Sequence, residues 1–260
     1  MKEGRASVTA QRVAALRLKF DRVPAPYGDP EADDRLQRDV AQRITSISPM
    51  ARYLQARTTF FDRVVVGALD RGVTQVVIAA AGYDGRAWRY AKPGVRWFEV
   101  DHPDTQADKR ERVDCLGLPT GAVAFVAADF AVDDVAGGLT AVGFDPARPA
   151  LFLVEGVAVY LPIEVLTSLL AALGSVATPG SRLAISLSVD QGTTAERVRR
   201  AAFARSVALL GEEARTVLTV DGAASLFADT GWSIADGNLE RSRRAGLVVL
   251  AYEGAKGPSD

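Results

Sequence analysis

The stretch Gln75-Val-Val-Ile-Ala-Ala-Ala-Gly82-Tyr-Asp-Gly-Arg-Ala-Trp-Arg-Tyr-Ala-Lys-Pro-Gly-Val-Arg-Trp-Phe-Glu-Val-Asp101 decides the reading of the chain. Gln75 to Ala80 is a short apolar run rich in β-branched residues, which is what a parallel strand covered on both faces requires. Gly82 lets the backbone turn sharply where a ligand can come close. Arg96 to Val100 is a second strand that Asp101 closes, 19 residues after Gly82, so the carboxylate falls at the strand's carboxyl edge beside the glycine turn. Open α/β sheets bind a nucleoside at that edge, the acid accepting hydrogen bonds from ribose hydroxyls.

The glycines narrow the nucleoside. Dinucleotide folds carry G-x-G-x-x-G, which rests a pyrophosphate on a helix N-terminus. Here the equivalent positions are Ala80, Gly82 and Gly85, with Ala81, Asp84 and Arg86 between and after them. Asp84 repels a pyrophosphate and attracts an amino-acid ammonium group. A ligand with ribose, adenine and a zwitterionic amino-acid tail is S-adenosyl-L-methionine (SAM), with S-adenosyl-L-homocysteine as its product.

The segment Ala80-Ala81-Gly82-Tyr83-Asp84-Gly85-Arg86-Ala87, followed by Phe98-Glu99-Val100-Asp101-His102-Pro103 and Lys109-Arg110, resembles the SAM-dependent methyltransferases related to leucine carboxyl methyltransferase and polyketide carboxyl O-methyltransferases. That family's motif begins Gly-Ala-Gly-x-Asp-Thr-Arg, and this chain has Ala80 for the first Gly and Gly85 for Thr. Ala56-Arg57-Thr58 with Phe60-Phe61-Asp62, Ala128-Asp129-Phe130, and Val154-Glu155-Gly156 with Tyr160-Leu161-Pro162 extend the resemblance over roughly residues 10–190. It implies an α/β, Rossmann-like class I methyltransferase fold: a mainly parallel seven-stranded sheet with a C-terminal antiparallel hairpin and helices on both faces. It also implies SAM as cofactor and an oxygen of a small molecule as methyl acceptor, a carboxylate first, in natural-product tailoring. The rival readings are a phenol or hydroxyl O-methyltransferase, a nicotinamide-dependent oxidoreductase, and a catalytically silent SAM-binding protein.

Composition sets the frame. With 260 residues, 48% hydrophobic, 24% charged and a net charge of −1, the chain reads as an ordinary globular protein with no polyanion partner. Cys115 alone forms no internal disulfide, and no apolar run resembles a signal peptide or a membrane span. The expected setting is cytoplasmic, for a monomer or homodimer whose partner is a small-molecule acceptor rather than nucleic acid or membrane. His102 is the only histidine, so a His-based metal site and a Cys-His couple are excluded; a carboxylate-only site stays open, but no clustered acidic motif announces one, and no metal is expected.

The chain divides into an N-terminal helical cap or lid over residues 1–72, a SAM-binding core over 73–252 with a helical insertion at about 190–218, and a flexible tail from 253. Within the cap, residues 1–23 and Glu31 to Ile44 read as helices around the breakers Pro24, Pro26, Gly28 and Pro30. The resemblance places a basic residue ahead of Asp29-Pro30 on the SAM carboxylate, either Arg17 or Lys19. The helix Met50 to Leu69 carries a stripe of Tyr53, Leu54, Phe61, Val64, Val65 and Ala68, and Arg57 falls on it. A guanidinium there needs an anionic partner: the carboxylate of SAM or substrate, or a structural ion pair with an acid such as Asp84.

In the core, His102 and Pro103 start a helix, and His102 adjoins the nucleoside edge as a loop residue or a base. The strand Val123 to Ala127 ends at Asp129 and Phe130, which by the resemblance meet the adenine amino group and form an apolar wall. Asp133 to Pro149 reads as surface loop. Strand Ala150 to Val154 delivers Glu155 and Gly156, which the resemblance places near the methionine part of SAM, and Tyr160 either lines the pocket near the methyl or packs in the core. Helix Ile163 to Val176, strand Arg182 to Val189, helix Thr194 to Leu210, helix Asp221 to Asp229 and a hairpin of Trp232 to Ile234 with Gly246 to Tyr252 complete the pattern.

Overall fold

The computed structural model describes residues 7–41, 51–190, 192–193, 198, 201, 213–235 and 246–254. Five parallel strands lie at its centre: β1 (Gln75–Ala79), β2 (Arg96–Asp101), β3 (Val123–Ala127), β4 (Leu151–Val154) and β5 (Arg182–Ser186). With β8 (Trp232–Ile234) and β9 (Leu247–Tyr252), both in antiparallel pairings, they form a seven-stranded sheet in the order β3-β2-β1-β4-β5-β9-β8. From β1 the chain steps outward to β2 and β3, then returns to place β4 on the other flank of β1. The carboxyl ends of β1 and β4 therefore flank the point where the strand order reverses, where open α/β sheets leave a ligand crevice.

Alternation along β1 assigns its residues to two cores. Val77 and Ala79 face one side with Phe98, Val100, Phe152 and Val154, under α6 (Val135–Ala141), α7 (Ile163–Ser175) and α8 (Val220–Asp229). Val76 and Ile78 face the other with Trp97, Leu151 and Leu153. That side is covered by α1 (Val8–Arg17), α2 (Pro30–Ala41), α3 (Ala51–Asp70), α4 (Arg86–Arg89) and α5 (Pro103–Cys115). The expected stripe of α3 is buried at Leu54, Phe61, Val65 and Ala68, and it contains Arg57, Thr58 and Asp62 as well.

Three expectations are corrected. The region Asp133 to Pro149 is not all loop, because α6 forms inside it: Asp134 caps the helix by accepting from the Gly137 N–H at 2.9 Å, and Val135 and Leu139 are buried. Its glycines signal close packing rather than a turn; a Cβ on Gly138 would stand 2.8 Å from Val126 of β3. Strand β5 stops at Ser186 rather than Val189, and Val189–Asp190 (β6) instead pairs in parallel with Leu218–Thr219 (β7) as a separate two-stranded sheet. The first helix ends at Arg17 rather than continuing to residue 23. The expected helix Thr194 to Leu210, apart from residues 198 and 201, and the tail from 255 lie outside the described residues, as does the stretch 42–50 at the end of the second expected helix.

Candidate active site

The crevice is built from four consecutive strand ends. Beyond β1, Ala80 and Gly82 both take left-handed backbone angles, φ 56° and 50°, so the chain doubles back within three residues. The turn is fastened by the Ala81 N–H to the Val100 carbonyl at 3.2 Å and the Asp84 N–H to the Ala81 carbonyl at 2.8 Å. At the end of β2, Asp101 receives the Gly82 N–H at 2.5 Å on one carboxylate oxygen and the His102 N–H at 2.7 Å on the other. Burial raises its carboxyl above the usual range, and those two amides and Lys109 oppose the rise. The acid thus stands beside the glycine turn, as the spacing predicts.

His102 serves as the N-cap of α5, its Nδ1 accepting from the Asp104 N–H at 3.4 Å. Beyond β3, Asp129 accepts from the Ala131 N–H at 2.9 Å, while its own N–H donates to Asp133 at 2.8 Å. Phe130 packs half-buried against the aliphatic core. Beyond β4, Gly156 takes φ 73° and donates its N–H to the Ser186 hydroxyl at 2.7 Å. That backbone angle favours glycine, and a Cβ there would also lie 2.9 Å from the Arg57 guanidinium, which would have to shift. Tyr160 ends a 3-10 turn, Ala158–Tyr160, just beyond, and is half-buried.

Glu155 is the focus of the cations. One of its oxygens accepts from Arg57 Nε at 3.0 Å and pairs with Arg17 at 3.1 Å, and the other accepts from Arg86 at 2.7 Å. Asp84 pairs with Arg17 at 3.2 Å and with Arg86. Arg86 is fully buried and continues to Asp62 at 2.7 Å, where Arg22 also binds at 2.6 Å. Arg22 reaches Asp33 at 3.0 Å, and Arg89 ties Asp33 to Asp34. The network joins Arg17, Arg22, Arg57, Arg86 and Arg89 to Asp33, Asp34, Asp62, Asp84 and Glu155, so its charges balance.

Burial alone would raise the buried acids, but the arginines outweigh it. Asp84 is held below the usual carboxylate range by Arg86 and Arg17, and Glu155 well below it by Arg86, Arg17 and Arg57. Asp62 is lowered to about 2, burial being overcome by Arg86 and Arg22.

The structure distinguishes residues that the sequence leaves level. Arg17 is buried at the crevice, whereas Lys19 lies beyond the end of α1 and is exposed. Arg57 has an acidic partner, which is Glu155 rather than Asp84. Arg86 sits inside the protein with every guanidinium nitrogen engaged, which gives it the role of a strut for Asp84 and Glu155. Sequence reasoning assigned no role to Asp62, Arg22, Asp33 or Arg89. Asp62 carried the same signal as Arg57, a charge on the buried stripe of α3. The helix α1 roofs the turn, since a Cβ on Gly82 would lie 3.0 Å from that of Ala10.

Residues 12–174 match the family model of leucine carboxyl methyltransferase. The chain belongs to the leucine carboxyl methyltransferase family. A relative from Mycobacterium tuberculosis H37Rv, named as a candidate SAM-dependent methyltransferase, is 34% identical over 203 residues, covering 73% of this chain and 67% of that protein. Another of the same designation from Mycolicibacterium paratuberculosis is 40% identical over 158 residues, covering 60% of this chain and 50% of that protein. The matched region thus spans between half and two thirds of the length of these relatives.

Solved structures agree in fold. A candidate methyltransferase from Thermobifida fusca superposes with a TM-score of 0.62 at 18% identity, covering 98% of this chain and 97% of its own. Magnesium protoporphyrin IX methyltransferase from Synechocystis, solved with bound S-adenosyl-L-homocysteine, gives a TM-score of 0.53 at 17% identity, covering 85% of this chain and 93% of its own. The fold is that of the class I methyltransferases. Among the described residues no helix is long and apolar enough to cross a membrane.

Proposed function

We propose that this family member binds SAM in the crevice at the ends of β1 to β4 and methylates an oxygen of a small molecule, a carboxylate first. The observation that carries the reading is the placement of Asp101 against the Gly82 amide, with Asp129 and Glu155 on the neighbouring strand ends. The residues suit the ligand along its length. Asp101 accepts from ribose hydroxyls, and Asp129 accepts from the adenine amino group beside Phe130. At the amino-acid end, Asp84 and Glu155 take the ammonium group, and Arg17 and Arg57 take the carboxylate. Arg17 already has a buried Nε without a hydrogen-bond partner, a donor that a carboxylate would satisfy.

SAM supplies a methyl group made electrophilic by its sulfonium. The chain's work is then to position the reactants and exclude water. The α1 roof and the half-buried Tyr160 serve this at the methyl end. An acceptor carboxylate, with an ordinary pKa near ~3.5 for an α-carboxyl, is ionised at neutral pH and needs no base. A phenol, with a pKa of about 10, needs one. The single histidine is engaged in capping α5, which favours the carboxylate.

The test is calorimetric titration of SAM into the wild type and Asp101→Ala, followed by turnover with methyl-labelled SAM against small carboxylic acids and phenols. Expected are binding lost in the variant and a label released by mild alkali, as an ester requires. Alkali-stable label would move the acceptor to a phenol or alcohol. Equal SAM affinity in both proteins would overturn the site.

A further inference from the structure

Lys109 is a buried cation for which the reaction as proposed has no use. It lies on α5 at 1% exposure, and its Nζ donates to Glu99 at 2.5 Å and to the backbone carbonyl of Asp84 at 2.7 Å. It also stands 5.5 Å from the centre of the Trp88 ring. One ammonium therefore ties together β2, the glycine turn and α4. A compact ammonium with three rotatable donors can meet partners in three directions, which a planar guanidinium cannot.

The Glu99–Lys109 pair is poorly explained as a source of stability. Both side chains are desolvated, and the second oxygen of Glu99 is buried without a hydrogen-bond partner. A buried ion pair left half satisfied is commonly no better than two apolar side chains of the same size. The bond to the Asp84 carbonyl is different, because a buried carbonyl in a turn needs a donor. Asp84 is also the residue whose side chain faces Arg17 and Arg86 in the crevice.

We propose that Lys109 is a positioning residue: by holding the Asp84 carbonyl it sets the turn Ala81 to Arg86 in the register that keeps the Gly82 amide on Asp101 and presents the Asp84 carboxylate to the cofactor. It acts through the turn and touches no ligand. The proposal rests on the SAM reading of the crevice. Glu99, 2.5 Å from the same Nζ, is the lysine's second partner, on β2.

The test compares Lys109→Met, Lys109→Met/Glu99→Leu and Glu99→Gln with the wild type, and includes Asp101→Ala as a control. The double variant removes the pair as a unit, and the expectation is a circular dichroism spectrum and denaturation midpoint close to wild type. Its SAM affinity should fall about tenfold, the effect of one lost hydrogen bond that orders the site. KM for SAM should rise in step while kcat at saturating SAM stays within about threefold, the pattern of lost binding rather than lost chemistry. Hydrogen exchange over residues 81–86 should quicken.

Glu99→Gln retains the bond from Lys109 to Asp84 and should bind SAM within about threefold of wild type, a change smaller than one hydrogen bond. Wild-type affinity in the double variant would overturn the proposal. So would a loss in Glu99→Gln as large as in Lys109→Met, since the charge pair rather than the carbonyl tie would then carry the effect. If Asp101→Ala also binds SAM normally, the reading of the crevice has failed. If Asp101→Ala loses binding and the Lys109 variants do not, only the role of Lys109 has failed.

Discussion

The two faces of the sheet are both covered by helices, yet they are held by different forces. Under α6, α7 and α8 the core is aliphatic and aromatic, with Leu166, Leu169, Leu170 and Leu173 of α7 in one cluster with Phe152, Val154 and Ile185. Under α1 to α5 the apolar residues share the interior with Arg17, Arg57, Asp62, Arg86, Glu99 and Lys109. Apolar packing weakens gradually as atoms are removed, at roughly 2–5 kcal/mol for a buried leucine cut to alanine. A buried charge network behaves otherwise, because removing one member strands its partners without water or counter-ion. The candidate site lies on the charged face, where position is fixed by bonds of definite direction.

The largest break in this contrast is Arg86→Met. Arg86 serves Asp62, Asp84 and Glu155 at once, and stranding even one buried partner costs about 3–5 kcal/mol. The variant should fail to fold at neutral pH, or show its denaturation midpoint recovered only as pH falls and the stranded acids protonate. Leu170→Ala, on the other face, should cost about 3 kcal/mol and leave SAM affinity unchanged. Equilibrium urea denaturation of the pair decides the matter, and a leucine variant less stable than the arginine variant would refute the contrast.

Acidity divides the charged face within itself. Asp62, lowered to about 2 in the fold, contributes stability that is fully present above the unfolded carboxyl value and is lost as pH falls through 2. Asp84 and Glu155, also lowered, act in the same direction. Glu99 acts in the opposite sense. Burial raises it from an ordinary 4.5 to about 7, against Lys109, so its contribution is present below 4.5 and is lost as pH rises through 7. That loss is on the order of 3 kcal/mol. Stability should therefore decline on both sides of an acidic optimum, and Glu99→Gln should flatten the decline between pH 5 and 7 while leaving the acid limb intact. Denaturation across pH measures both limbs.

The sequence was most legible where one physical signal sufficed. Apolar runs and the spacing from Gly82 to Asp101 gave β1, β2 and the crevice between them, and helical periodicity gave α3 and α7. Legibility failed where the deciding partner is distant in sequence. Nothing local separates Arg17 from Lys19; the choice depends on Asp84 and Glu155, which sequence alone cannot place across from one of them. Helix α6 was hidden because Gly137 and Gly138 look like a loop, although Gly138 is small to let the helix approach Val126. The turn of the chain away from the sheet after Ser186 was hidden because Leu187 and Val189 continue an apolar strand pattern.

A smaller effect sharpens the site within the charged face. Arg57 shares Glu155 with Arg17 and Arg86, so Arg57→Met leaves that acid two partners and should cost only about 1.5–3 kcal/mol, one charged hydrogen bond. Arg57→Lys keeps the charge and loses the planar fork. If Arg57 clamps a carboxylate, both variants lose SAM or acceptor affinity well beyond their loss of stability. Turnover and titration at wild-type levels in both would make Arg57 a strut like Arg86.

The smallest expected change is a gain, from Ala80→Gly. Ala80 is the only non-glycine residue with positive φ among those described, at 56°, and it stands where the family motif has glycine. A side chain in the left-handed region costs roughly 1–2 kcal/mol, from the crowding of Cβ against the carbonyl. Glycine removes that strain but gives the unfolded chain more freedom, which returns about 0.5–1 kcal/mol. The terms leave a net stabilisation of about 0.5–1 kcal/mol, a rise of a few degrees at most in the thermal midpoint. Because the neighbouring turn is fixed by the amides of Ala81, Gly82 and Asp84, its geometry should not change, and SAM affinity should stay within twofold. A drop in affinity alongside the gain in stability would show that the Ala80 methyl group itself shapes the crevice, and that this chain departs from the family motif to fit its own ligand.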